Sequence, residues 1–171
     1  MGTPRDTRAE QTATVIERLR EAYPDATISL EFSNRLELLI SVVLSAQCTD
    51  ERVNKITPDL FDQFEDPEDY AAAEEEQVAE IIGSCTYPNS KAGYLVGIGK
   101  KLVEDYDGRV PDTMDELQEL PGVGRKTANV VLQHGHDVSE GIVVDTHVQR
   151  LSQRLGLTDE ERPDRIETDL M

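Results

Sequence analysis

Residues 120–132 read LPGVGRKTANVVL, and no other segment constrains the fold as tightly. A proline and two glycines make a tight turn, Arg125 and Lys126 follow at once, and an apolar helix begins. Glycine adopts backbone angles closed to other residues and has no side chain to keep a ligand away. Backbone N–H groups at a helix start lack intrahelical partners and lie at the positive end of the helix dipole, so they favour a phosphate. The segment predicts two helices joined by a glycine hairpin over about 112–134, with a shape suited to a DNA backbone and an amine beside it. Taken alone, the same residues also fit a plain helix–turn–helix corner with a surface lysine.

A chain of 171 residues can bury a real core, as one domain or as a domain with a partial second one. The formal net charge is −18, which argues against nonspecific binding to nucleic acid or anionic membranes. The charge is unevenly placed, however. Residues 59–80 hold Asp59, Asp62, Glu65, Asp66, Glu68, Asp69, Glu74, Glu75, Glu76 and Glu80 and no base. Residues 117–156 are neutral, with Arg125, Lys126, Arg150 and Arg154 against Glu119, Asp137, Glu140 and Asp145. The acid therefore lies away from the hairpin. It reads as a solvation device of the halophilic kind, with an ordinary acidic cytosolic protein as the alternative. Cys48 and Cys85 are the only cysteines, too few for a disulfide framework or a four-ligand metal site. The opening MGTPRDTRAE is polar, and LLISVVLSA at 38–46 is too short to span a bilayer. A cytoplasmic, nucleoid-associated protein without membrane contact is expected, with a monomer as the default.

The spacing of apolar residues predicts an almost all-helical chain. Helices are expected over 9–22, 34–46, 50–63 with a break at Pro58, 67–82, 89–106, 112–119 capped by Asp112, 124–134, 146–155 and from 162 onward. Gly156 is placed to end the helix over 146–155. Only IVVD at 142–145 hints at a strand.

Lys126 is the first candidate for chemistry. An amine attacks carbon only when unprotonated, which needs partial desolvation or a nearby positive field, and the helix start and Arg125 supply such a field. Pairing with phosphate explains Lys126 equally well. Asp145 follows a short apolar run and precedes an amphipathic helix, an ideal N-cap position. A capping carboxylate aimed into a cleft can also stabilise positive charge on a sugar. Gln47, in SAQCTD, either closes a buried helix or reaches into a duplex. His147 reads as a hydrogen-bonding histidine, and His134 and His136 lack a ligand set for a metal.

Four segments taken together resemble the endonuclease III branch of the helix-hairpin-helix DNA glycosylases. They are FSNRLELLISVVLSAQCTDERVNK at 32–55, YPNSKA at 87–92, LPGVGRKTANVVL at 120–132 and VDTHVQRLSQRLGL at 144–157. They come in the family's order and cover nearly the whole chain. The combination of hairpin lysine and VDTH aspartate is the specific part.

The resemblance implies an all-α, helix-hairpin-helix glycosylase fold. A six-helix bundle would cover residues 28–138, and residues 1–27 and 139–171 would form an incomplete second helical domain. It implies removal of oxidised pyrimidines from duplex DNA, followed by cutting at the abasic site through β-elimination. Lys126 would be the nucleophile and Asp145 the assisting carboxylate. Leu120, Gly122, Val123, Gly124, Arg125, Thr127 and His147 would face DNA, and Gln47 would fill the gap left by the flipped base. The family also carries four cysteines for a 4Fe-4S cluster. This chain stops before that region, and Cys48 and Cys85 do not match those positions, so no cofactor is expected unless further C-terminal residues supply the ligands. Binding through backbone amides and inserted side chains would suit an acidic protein, because lysine and arginine contacts to phosphate weaken steeply with salt. A noncatalytic DNA-binding module and a glycosylase with another base preference are the alternatives.

Overall fold

The computed structural model describes residues 4–171, with side chains from Thr7 onward, so the first three residues of the polar opening lie outside it. Ten helices occur among the described residues, and no strand. They divide into two compact units, one of residues 29–140 and one of residues 1–28 with 141–171.

The larger unit holds α2 (Arg35–Ser45), α3 (Asp50–Gln63), α4 (Pro67–Ala72), α5 (Glu75–Ile81), α6 (Pro88–Asp105), α7 (Met114–Gln118) and α8 (Arg125–Gly135). Helix α2 is its spine. Leu38, Leu39, Ile40 and Leu44 are fully buried, as expected of a helix apolar on nearly every side with only Ser41 among its buried residues polar. Asn34 caps the helix, its side chain accepting from the Glu37 amide at 2.9 Å. Helices α3, α6 and α8 pack on α2, while α4 and α5 pack on α6. A Cβ on Gly99 would lie 2.6 Å from the Ala71 amide nitrogen, so glycine there lets α4 lie against α6.

Three local expectations fail here. Pro58 does not break α3, which runs through it to Gln63. The proline removes one backbone donor, and the buried row Val53, Ile56, Leu60 holds the helix together across the gap. The segment 67–82 is two helices, because Ala73 takes an extended conformation at φ −71°, ψ 147° and Asp66 closes a capping box on the short α4. The larger unit therefore contains seven helices where six are expected. Thr113, not Asp112, caps α7, its hydroxyl accepting from the Glu116 amide and donating to the Glu116 carboxylate at 2.7 Å.

The smaller unit holds α1 (Pro4–Ala22), α9 (Thr146–Arg154) and α10 (Pro163–Leu170). Residues 142–145 are irregular, not a strand. Polar contacts join its helices: Arg8 pairs with Asp159, the Gln11 amide donates to the Leu155 carbonyl, and the Thr158 hydroxyl donates to Asp169 at 2.7 Å. Gly156 follows α9 at φ 66°, the left-handed conformation of a helix end. No helix among the described residues is long and apolar enough to cross a membrane.

Candidate nucleic-acid interface and active site

The hairpin between α7 and α8 begins with buried Leu120. The Val123 N–H donates to the Leu120 carbonyl at 3.1 Å, closing a turn with Pro121 second and Gly122 third. Gly122 has φ 73°, which glycine adopts without strain. It also needs the space. A Cβ there would lie 2.6 Å from Cδ2 of Tyr94, whose ring covers the turn from α6. Pro121 packs on α6 too, its Cγ 3.0 Å from where a Cβ on Gly97 would stand. Helix α6 is thus the floor of the hairpin. Nothing local in the sequence marks Tyr94 or Gly97 as supports of this turn, because the residues they touch, Gly122 and Pro121, are distant along the chain.

Gly124 differs from Gly122. Its φ is −94°, and a Cβ would meet nothing within 4 Å. It is the N-cap of α8, and no side chain caps that end. A helix end of this kind presents backbone donors outward. Lys126 stands in the first turn, exposed, on the face opposite the buried Ala128, Val131 and Leu132. Arg125 is exposed and Thr127 half-buried. The side chains of Leu120 and Val123 point into the core, and the Val123 amide is taken up by the turn. These two residues anchor the hairpin, and the expected DNA contact by their side chains does not fit their burial.

Gln47 lies beyond α2 at φ 55°, with its side chain exposed. Its carbonyl accepts from the Thr86 hydroxyl at 2.8 Å. One turn back, the buried Lys91 ammonium donates to the Leu44 carbonyl at 2.7 Å, where the negative end of the α2 dipole offsets its charge. The turn that presents Gln47 is therefore held from both sides by the 86–91 segment. The two cysteines meet in the same place, with Cys48 Sγ 3.8 Å from Cys85 Sγ. Burial, and then the neighbouring Cys48, pushes the Cys85 thiol up to about 11. A 4Fe-4S cluster takes four cysteine ligands, and this pair supplies two. Among the described residues no three His, Cys, Asp or Glu side chains group to hold a metal. The residues present do not fit a cluster.

Asp145 belongs to the smaller unit, apart from the unit of Lys126. It caps α9, with Oδ1 accepting from the His147 amide at 2.9 Å and the Val148 amide at 2.7 Å. Both amides use the same oxygen, so Oδ2 takes neither bond. The capping and chemical readings of this carboxylate are therefore compatible. His147 is exposed, its Nδ1 3.2 Å from the Arg150 guanidinium.

Known proteins resemble this chain in sequence and fold. Residues 40–171 match the family described as HhH-GPD superfamily base excision DNA repair protein. An endonuclease III of Synechocystis is 51% identical over 153 residues, which are 90% of this chain and 70% of that protein. An endonuclease III of Bacillus subtilis is 45% identical over 83% of this chain and 64% of its own length. A solved structure of a trapped endonuclease III–DNA covalent intermediate superposes with a TM-score of 0.88 at 41% identity, covering 100% of this chain and 78% of that one. With this extent of identity and a common fold, the chain belongs to the HhH-GPD superfamily of base excision DNA repair proteins and, within it, to the endonuclease III family.

Proposed function

We propose that this chain is a base-excision-repair DNA glycosylase with abasic-site lyase activity, and that Lys126 is its nucleophile. The observation that carries this reading is an exposed lysine in the first turn of α8, one residue beyond the Gly124–Arg125 step of an open, uncapped helix start. Family membership supports it, as does the trapped covalent DNA intermediate of the similar solved structure.

The chemistry follows from these groups. Phosphates approach the backbone N–H groups around Gly122, Gly124 and the start of α8, with Arg125 and Thr127 alongside, and His147 is the DNA contact from the smaller unit. A damaged base costs less than an intact one to take out of the stack. Gln47 fills the space it leaves, from a turn held by Thr86 and Lys91. The Lys126 amine then attacks C1′ and the glycosidic bond breaks as the base departs. Opening of the sugar ring leaves a Schiff base. Loss of a C2′ proton then expels the 3′ phosphate by β-elimination. The Asp145 carboxylate assists, taking a proton from the amine or stabilising the cationic sugar. Oxidised pyrimidines are the proposed substrates, as in the family.

Duplex carrying an abasic site tests this reading. The chain is expected to cut the strand beside the lesion, and Lys126→Ala to bind the same duplex without cutting it. Cutting by the variant at the parent rate would overturn the assignment.

A further inference from the structure

Cys48 and Cys85 come from turns that the sequence separates by 37 positions, yet their sulfurs are 3.8 Å apart. The flanking residues are joined as well, since the Thr86 hydroxyl donates to the Gln47 carbonyl at 2.8 Å. Two contacts thus clasp the same pair of turns, one between the cysteines and one between the residues next to them. Both thiols are free, Cys85 buried and Cys48 partly open to solvent. Gln47, the residue next to Cys48, carries an exposed side chain on a left-handed backbone. From this juxtaposition we propose that Cys48 and Cys85 are a peroxide-responsive dithiol whose disulfide locks the Gln47 turn in a position that weakens DNA binding.

The chemistry balances with hydrogen peroxide as the oxidant. The accessible Cys48 sulfur attacks one peroxide oxygen, the O–O bond breaks, and a sulfenic acid and one water result. The Cys85 sulfur then attacks Cys48 Sγ and an S–S bond forms. The hydroxyl leaves with the Cys85 proton as a second water. Two thiols are oxidised by two electrons and one peroxide is reduced. Burial keeps Cys85 protonated and away from peroxide, so it resolves the sulfenic acid instead of being oxidised itself. Adjacency makes the second step intramolecular, which offsets the low reactivity of a protonated thiol.

A disulfide holds its sulfurs at about 2.05 Å. The cysteine side chains and the turn over 46–49 must therefore close the present separation together, drawing the turn toward the 83–87 segment. Lys91 anchors the end of α2 at the Leu44 carbonyl, so the shift falls on the turn beyond it, which carries Gln47. The consequence for DNA rests on the role of Gln47 given above, whereas formation of the bond does not.

The test treats the intact chain with hydrogen peroxide and reads two outputs. Mass spectrometry is expected to show loss of two hydrogens and a peptide joining residues 48 and 85. Affinity for duplex with a stable tetrahydrofuran abasic analogue is expected to fall by about tenfold and to return with dithiothreitol. Cys48→Ser is expected to keep its affinity through the same treatment, and Cys85→Ala is the second control should the serine variant fold poorly. Two intact thiols, a Cys48 sulfonic acid without cross-link, dimers joined between chains, or a disulfide with unchanged affinity would each overturn the proposal. Failure of the reduced chain to bind the duplex at all would instead sink the role of Gln47, and the DNA half of this inference with it.

Discussion

The two units bury their apolar residues very differently. In the larger one, Leu38, Leu39, Ile40, Leu44, Leu60, Leu95, Ile98 and Leu132 are fully enclosed, and the hairpin rests on α6 above that core. In the smaller one, α1 exposes Ile16 at 43% and Leu19 at 50%, and α9 exposes Leu151 at 49%. Its helices are joined to a greater degree by polar contacts such as Arg8–Asp159 and Thr158–Asp169. Surface ion pairs contribute little, while buried leucines contribute kilocalories each. The lesson is that Lys126 stands on a scaffold fixed by its own core. Asp145 is oriented by capping bonds within its own helix.

Substitutions in the cores should show the largest contrast. Leu39→Ala is expected to cost about 2–5 kcal/mol, because it opens a cavity in a packed core. Leu151→Ala should cost about 1 kcal/mol or less, since half its surface already meets water. Urea unfolding of the two variants measures this directly. Equal losses would mean that the smaller unit is better packed than its exposed leucines indicate.

The hairpin glycines sharpen the same contrast within a single turn. Gly122→Ala places a Cβ 2.6 Å from Tyr94 Cδ2 and forces a non-glycine residue to φ 73°, costing about 1–2 kcal/mol from the backbone alone. Gly124→Ala meets no neighbour at an ordinary φ and should leave the melting temperature nearly unchanged. It should still weaken binding to abasic duplex, because the methyl group stands where a phosphate would approach. Loss of stability in Gly124→Ala, or full affinity, would break the distinction between a structural and a ligand-facing glycine.

At Asp145 the stability effect and the chemical effect separate between two substitutions. Asp145→Ala removes the α9 cap and should cost about 1 kcal/mol. Asp145→Asn keeps an oxygen for the His147 and Val148 amides and should unfold like the parent. Both should cut abasic duplex about a hundredfold more slowly. An asparagine variant with parental cutting would reduce Asp145 to its capping role.

How much of this was legible in the sequence depended on the range of the contacts involved. The start of α8, the burial of α2, the Asp145 cap and the left-handed Gly156 follow from residues within a turn or two of each other. The extended Ala73 that divides 67–82 was hidden, because a helix-favouring alanine side chain gives no sign that α4 ends there. Pro58 misled for the complementary reason, since the burial of Val53, Ile56 and Leu60 outweighs one missing donor. The Tyr94–Gly122 and Cys48–Cys85 contacts join distant positions, and no local pattern announces either. The two cysteines in particular read as isolated thiols until the fold brings them side by side.

In the proposed reaction the Lys126 amine forms the covalent bond to the opened sugar. Abasic duplex incubated with the chain and borohydride, then digested and mapped by mass, tests it most directly. A single reduced adduct is expected on the peptide carrying Lys126, absent in Lys126→Ala while that variant still binds the duplex. An adduct on another amine, or undiminished trapping in the variant, would contradict it.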